Sequence, residues 1–137
     1  MVNIAYIVPT TSKGFLGKHL NETLMMRLTI PTFLKTINTE HKYKFFIGID
    51  KDDTMYDNKD NQNYIRNKLE SNDVDLEFIV YENVEKGHLT KMWNILFKKA
   101  YDEHFEYFFQ GGDDLEFMTH GWVNDCITIL KKNNNFG

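Results

Sequence analysis

Tyr107-Phe-Phe-Gln-Gly-Gly-Asp113-Asp114-Leu-Glu-Phe117 reads as a short buried strand that runs into two glycines and then delivers adjacent carboxylates. An apolar run this short, closed by glycines, predicts a strand rather than a helix. Upstream, Leu89, Met92, Trp93, Leu96 and Ala100 recur at helical spacing over residues 89–101. Before that helix, residues 76–81 alternate as a strand, and Tyr64, Ile65 and Leu69 suggest a short helix. Residues 43–49 form another apolar run, followed by an acidic loop over 50–61. Residues 4–8 open the series and end at Pro9. Between these two strands Leu20, Leu24 and Leu28 mark a helix face, with Asn21 as the expected N-cap and Pro31 forcing a kink or a division into two short helices. Downstream, a last helix is expected over residues 122–130.

The order is βαβαβαβα. Such alternation predicts a mainly parallel sheet with helices on both faces, a three-layer α/β/α sandwich formed by residues 1–137 as one domain. Ligands of such sheets bind beyond the carboxyl ends of the strands. That rule selects residues 9–13, 50–57 and 111–116.

Composition narrows the function classes. The 137 residues are 42% hydrophobic and 15% aromatic, enough for a core, and the formal net charge of -4 argues against a nucleic-acid partner. The single cysteine, Cys126, permits no internal disulfide and lies in an apolar helical pattern, so it is expected in the core. No apolar stretch is long enough for a membrane segment, and the N-terminus lacks the marks of a signal peptide. A soluble cytoplasmic protein is the expectation. A homo-oligomer is left open.

Asp113 and Asp114 carry the strongest chemical signal. Adjacent carboxylates repel unless a cation lies between them, and oxygen ligands favour Mg²⁺ or Mn²⁺, which also bridge substrate phosphates. The plainer alternative is a solvated acidic pair near the start of the last helix. Asp50 ends a strand where acidic side chains can accept from a ribose hydroxyl or a base N–H. Asp52, Asp53 and Asp57 read instead as turn formers that bond their own backbone. Pro9, Thr10 and Thr11 follow the first strand and could line a base or phosphate pocket, or form a polar turn. Gly87 precedes a helix whose free N–H groups would face the strand ends. Lys91 lies in its first turn, and Asn94 interrupts the apolar face, so it is expected to be buried and bonded to the acidic loop. Gly14-Phe-Leu-Gly17-Lys18-His19 imitates a phosphate loop, but Ser12 and His19 break the pattern.

Taken in order, strand-PTTS, strand-ending Asp50, the Gly87–Asn94 segment, GGDDLEF and Gly121-Trp122 resemble GT-A-type glycosyltransferases with a DxD-like motif. The resemblance covers nearly the whole chain and rests on the ordered set rather than on any single motif. It implies that Pro9, Thr10 and Thr11 line the base pocket and that Asp50 contacts the base, most often uracil. It implies that Gly87, Lys91 and Asn94 support the diphosphate side, and that Asp113 and Asp114 touch ribose and metal respectively. Gly112 stands where many members carry the first Asp, which leaves open which acid holds the metal. The implied activity is transfer of a sugar from a nucleotide-sugar donor, with UDP expected, to a glycan, protein or lipid acceptor. Family members continue past this point, and their later half usually supplies the acceptor pocket and, in inverting members, a carboxylate base. The expectation is therefore a chain that lacks the acceptor half, either a fragment or a truncated product that binds donor without transferring, with the catalytic base beyond Gly137.

Two other readings compete. Asp50-Lys-Asp52-Asp53-Thr54 with Gly112-Asp113-Asp114 resembles the nucleophile and metal motifs of haloacid-dehalogenase-type phosphatases. The short length also suits a non-catalytic nucleotide-sugar-binding module.

Overall fold

The structure, a computed structural model, describes all residues except 83, 85–87 and 135–137. Four parallel strands form one sheet: β1 (Asn3–Thr10), β2 (Lys42–Asp50), β3 (Val74–Tyr81) and β4 (Tyr107–Gln110), in the order β3-β2-β1-β4. The helices are α1 (Ile30–Thr36), α2 (Lys59–Glu70), α3 (Leu89–Asp102) and α4 (Trp122–Lys132). All four strands run the same way, so their carboxyl ends share one edge.

Alternate residues of β1 feed two cores, as the strand period of two requires. Ile4, Tyr6 and Val8 face a large core that includes Phe33 of α1, Ile65 and Leu69 of α2, and Val123 and Ile127 of α4. Ala5 and Ile7 face a smaller core with Met92, Leu96 and Ala100 of α3. The expected three layers are therefore present, with α3 alone on its face among the described helices.

The segment after β1 departs from expectation. A 3-10 turn (Leu20–Glu22) and a π-helical stretch (Met25–Thr29) precede α1. Pro31 sits in the first turn of α1, where a missing N–H is tolerated, and the wider π turn lies directly ahead of it. Thr23, extended between the 3-10 turn and the π stretch, breaks the helical phase between Leu20 and Leu24. Met25 and Met26 are buried, whereas Leu24 is 49% exposed. Asn21 caps nothing; Thr23 Oγ1 accepts the Met26 N–H at 3.3 Å instead. Cys126 is likewise exposed, because Val123 and Ile127 supply the inward face of α4.

Phe33 is the hub of the large core. Its ring meets Tyr6, Phe45 and Phe117 edge-on at 5.4, 4.9 and 5.6 Å. Two threonines of α1 then hold the loop that follows β4. Thr32 Oγ1 accepts the Phe117 N–H at 2.9 Å, and Thr36 Oγ1 accepts the Trp122 Nε1–H at 3.0 Å. The Thr36 carbonyl accepts the Gly121 N–H at 2.8 Å. Among the described residues no helix is long and apolar enough to cross a membrane.

Gly48, in the middle of β2, permits the closest contact between strand and side chain. A Cβ there would stand 1.8 Å from the Tyr81 hydroxyl. Gly48→Ala is expected to cost about 1–3 kcal/mol through overpacking, read as a lowered urea midpoint. An unchanged midpoint would show that β2 and Tyr81 can separate freely.

Candidate functional site

β1, β2 and β4 each end at the same edge, and each contributes to one cavity of about 490 Å³. Pro9, Thr10 and Thr11 come from the end of β1, Asp50 from β2, and Asp113 from the loop after β4. Leu89 and Met92 of α3 close one side, and Lys13 reaches in from the β1 loop. Asp50 and Asp113 therefore open onto the same space, although β1 lies between their strands. Two interstrand spacings put their backbones roughly 10 Å apart. One ligand lying across the end of β1 can therefore meet both carboxylates.

The acid loop is held from below. Tyr6 is buried in the large core, with its ring stacked on Phe45 at 4.4 Å, and its hydroxyl donates to the Gly112 carbonyl at 2.9 Å. Burial first, then the charges of Asp113 and Asp114, push the Tyr6 phenol far above its ordinary value, so it remains a proton donor. Gly111 has to be glycine for the same reason: a Cβ there would lie 2.5 Å from the Tyr6 hydroxyl. Thr10 Oγ1 donates to Asp113 Oδ2 at 2.6 Å, a short charge-assisted bond that leaves the other carboxylate oxygen available. Tyr56 is buried beneath, and burial raises its phenol despite hydrogen bonding with Thr10 and Thr23.

Asp53 holds the wall formed by the β1 loop. It accepts from the Ser12 N–H at 2.8 Å, the Ser12 hydroxyl at 2.7 Å, and the N–H groups of Met55 and Tyr56 at 3.0 and 2.9 Å. The turn reading thus holds for Asp53, and for Asp57, which accepts the Asp52 N–H at 2.8 Å. Asp53 adds a bond across strands that no local pattern announces. Partial burial opposes its ionisation, but these donors outweigh it and hold the carboxyl below its usual range.

Several expected residues lie elsewhere. Gly87 falls outside the described residues. Lys91 and Asn94 are exposed on α3 and do not line the cavity. Asn94 is not buried as expected: it follows Met92 by two residues, about 200° around the helix, so it points away when Met92 points in. Leu89 and Met92 occupy the place expected for them. Lys13 also lines the cavity, and its place in the 9–13 loop at a strand's carboxyl end is the sequence signal for it.

Asp114 is exposed and lines a second cavity of about 370 Å³ on the α1 side. Among the described residues no group of three or more His, Cys, Asp or Glu side chains gathers to hold a metal ion. Two neighbouring carboxylates still suit Mg²⁺ or Mn²⁺, which keep water and phosphate oxygens as their remaining ligands. No family model, curated protein or solved structure matches the chain.

Asp53 generates a pH prediction. A depressed folded pKa stabilises above the unfolded value, about 3.9, and this contribution is lost as pH falls through the folded value. Asp53→Asn should lose about 1–2 kcal/mol at pH 7. The urea midpoints of wild type and variant should converge below about pH 4. A gap that stays constant down to pH 3 would remove the carboxylate from this role.

Proposed function

We propose that this chain carries the donor site of a metal-dependent GT-A-type glycosyltransferase, and that its donor is a nucleotide-diphosphate sugar linked to UDP. The observation that supports this reading most is the cavity lined jointly by Asp50 and Asp113 across an intervening strand. A nucleotide has the length to reach both. Asp50 accepts from the base imide N–H or a ribose hydroxyl, while Leu89 and Met92 offer an apolar wall to the ring. Lys13 meets phosphate charge from the β1 loop. Asp113, oriented by Thr10, and Asp114 beside it would hold Mn²⁺ or Mg²⁺. When bound, the cation neutralises charge on the departing diphosphate. In the reaction the acceptor oxygen bonds to the anomeric carbon as the bond from that carbon to the diphosphate oxygen breaks. The electron pair leaves with the diphosphate, and the hydroxyl proton passes to a general base or water.

The phosphatase alternative needs its nucleophile and its metal carboxylate close together on one phosphoryl group. The immediate neighbour of β4 is β1, whose carboxyl end carries Pro9, Thr10 and Thr11 and no acid. Asp50 is one strand further away. This separation by one strand favours a nucleotide lying across β1 over a single phosphoryl group held between the two acids.

Calorimetry should show UDP binding with Mn²⁺ or Mg²⁺ present and none in excess chelator. Asp114→Ala should weaken metal-dependent UDP binding at least about tenfold. UDP binding that needs no metal and ignores Asp114→Ala would refute the assignment. Hydrolysis of a generic phosphoester, abolished by Asp50→Asn, would establish the phosphatase instead. Donor binding without turnover towards any acceptor would leave a binding module.

A further inference from the structure

A transferase brings two ligands to one point, and two cavities meet here at one ridge. The first lies on the α3 side of the sheet, the second on the α1 side, and Thr11 and Asp113 line both. The second cavity has a different chemistry. Phe15, Leu24 and Met25 give it an apolar wall, and Glu22, Arg27 and Asp114 give it charge. Thr23 and Tyr56 form part of its lining, next to the hydroxyl network under Asp113. None of this set except Asp114 belongs to the donor assignment.

We propose that the second cavity binds the acceptor, against the expectation that the acceptor pocket lies beyond Gly137, and that the acceptor is a glycoside carrying an apolar aglycone. The inference rests on the transferase reading for the acceptor role, but its binding chemistry stands on the cavity itself. Sugar hydroxyls pair well with a carboxylate and a guanidinium that line one cavity, as Glu22 and Arg27 do, because one accepts and the other donates in a planar fork. Glu22 keeps one oxygen for such a ligand, since its other oxygen accepts the Lys18 N–H at 2.9 Å. The rim is apolar and exposed to a degree that a purely polar ligand would not use. Phe15 is 37% exposed and Leu24 49%, and Leu16 stands beside Phe15 at 98%. The sugar of a nucleotide donor carries no apolar group to cover them. An alkyl or aryl glycoside does, with its hydroxyls directed to the ridge and its aglycone lying over Phe15 and Leu24. Gly17 shapes the rim, since a Cβ there would stand 2.4 Å from the Phe15 ring and from the Glu22 carboxylate.

The test uses octyl β-glucoside below its micelle concentration, and glucose, titrated into the whole chain and followed by saturation-transfer NMR. Octyl β-glucoside should bind saturably and at least tenfold more tightly than glucose. Leu24→Ser and Arg27→Ala, both at exposed positions, should each weaken it about fivefold or more while leaving the metal-dependent UDP affinity unchanged. No saturable binding, equal binding of glucose, or binding indifferent to both variants would overturn the proposal. Loss of UDP affinity in Arg27→Ala would overturn it too, by giving this cavity to the donor. Octyl β-glucoside binding that responds to both variants, in a chain that binds no UDP, would keep the glycoside site and remove the transferase reading beneath it.

Discussion

The bond from the buried Tyr6 hydroxyl to the Gly112 carbonyl is the constraint on which the site depends. Tyr6 belongs to the middle of β1, and its ring is fixed by Phe33 and Phe45. Its hydroxyl nevertheless ends at the backbone that carries Asp113 and Asp114. The core therefore sets where the acids stand. Tyr6 from below, Thr10 from the side and Thr32 beyond fasten the loop at the Gly112 carbonyl, the Asp113 carboxylate and the Phe117 N–H.

The same economy of parts governs the rest of the edge. Asp53 organises its own turn and also fastens Ser12, so one carboxylate ties the loop after β2 to the loop after β1. Thr11 and Asp113 belong to both cavities, so a ligand on one side shares its contacts with a ligand on the other. Sheet order makes this possible: placing β1 between β2 and β4 puts a strand without acids between two that end on them.

Much of the fold was legible because its signals are local and repeated. Each strand is a short apolar run closed by a turn signal, and α3 shows its inward face through Met92, Leu96 and Ala100. The errors have physical causes. The extended Thr23 interrupts the helical spacing of Leu20 and Leu24, so Met25 rather than Leu24 faces the core. Asn94 and Cys126 lie in apolar helices but on their outer sides, and an apolar neighbourhood in sequence does not reveal which side faces the sheet.

By itself, the sequence determined the alternation of strands and helices, the absence of a disulfide, and the three loops at which polar ligands would gather. Those follow from side-chain period and composition, which act over a few residues. Only the tertiary structure decided that Asp50 and Asp113 share one cavity, that Leu89 and Met92 rather than Lys91 and Asn94 face it, and that a second cavity lies beyond the ridge. Those facts depend on strand order, on the rotation of each helix against the sheet, and on bonds such as Tyr6 to Gly112, 106 residues apart, which no local pattern can encode.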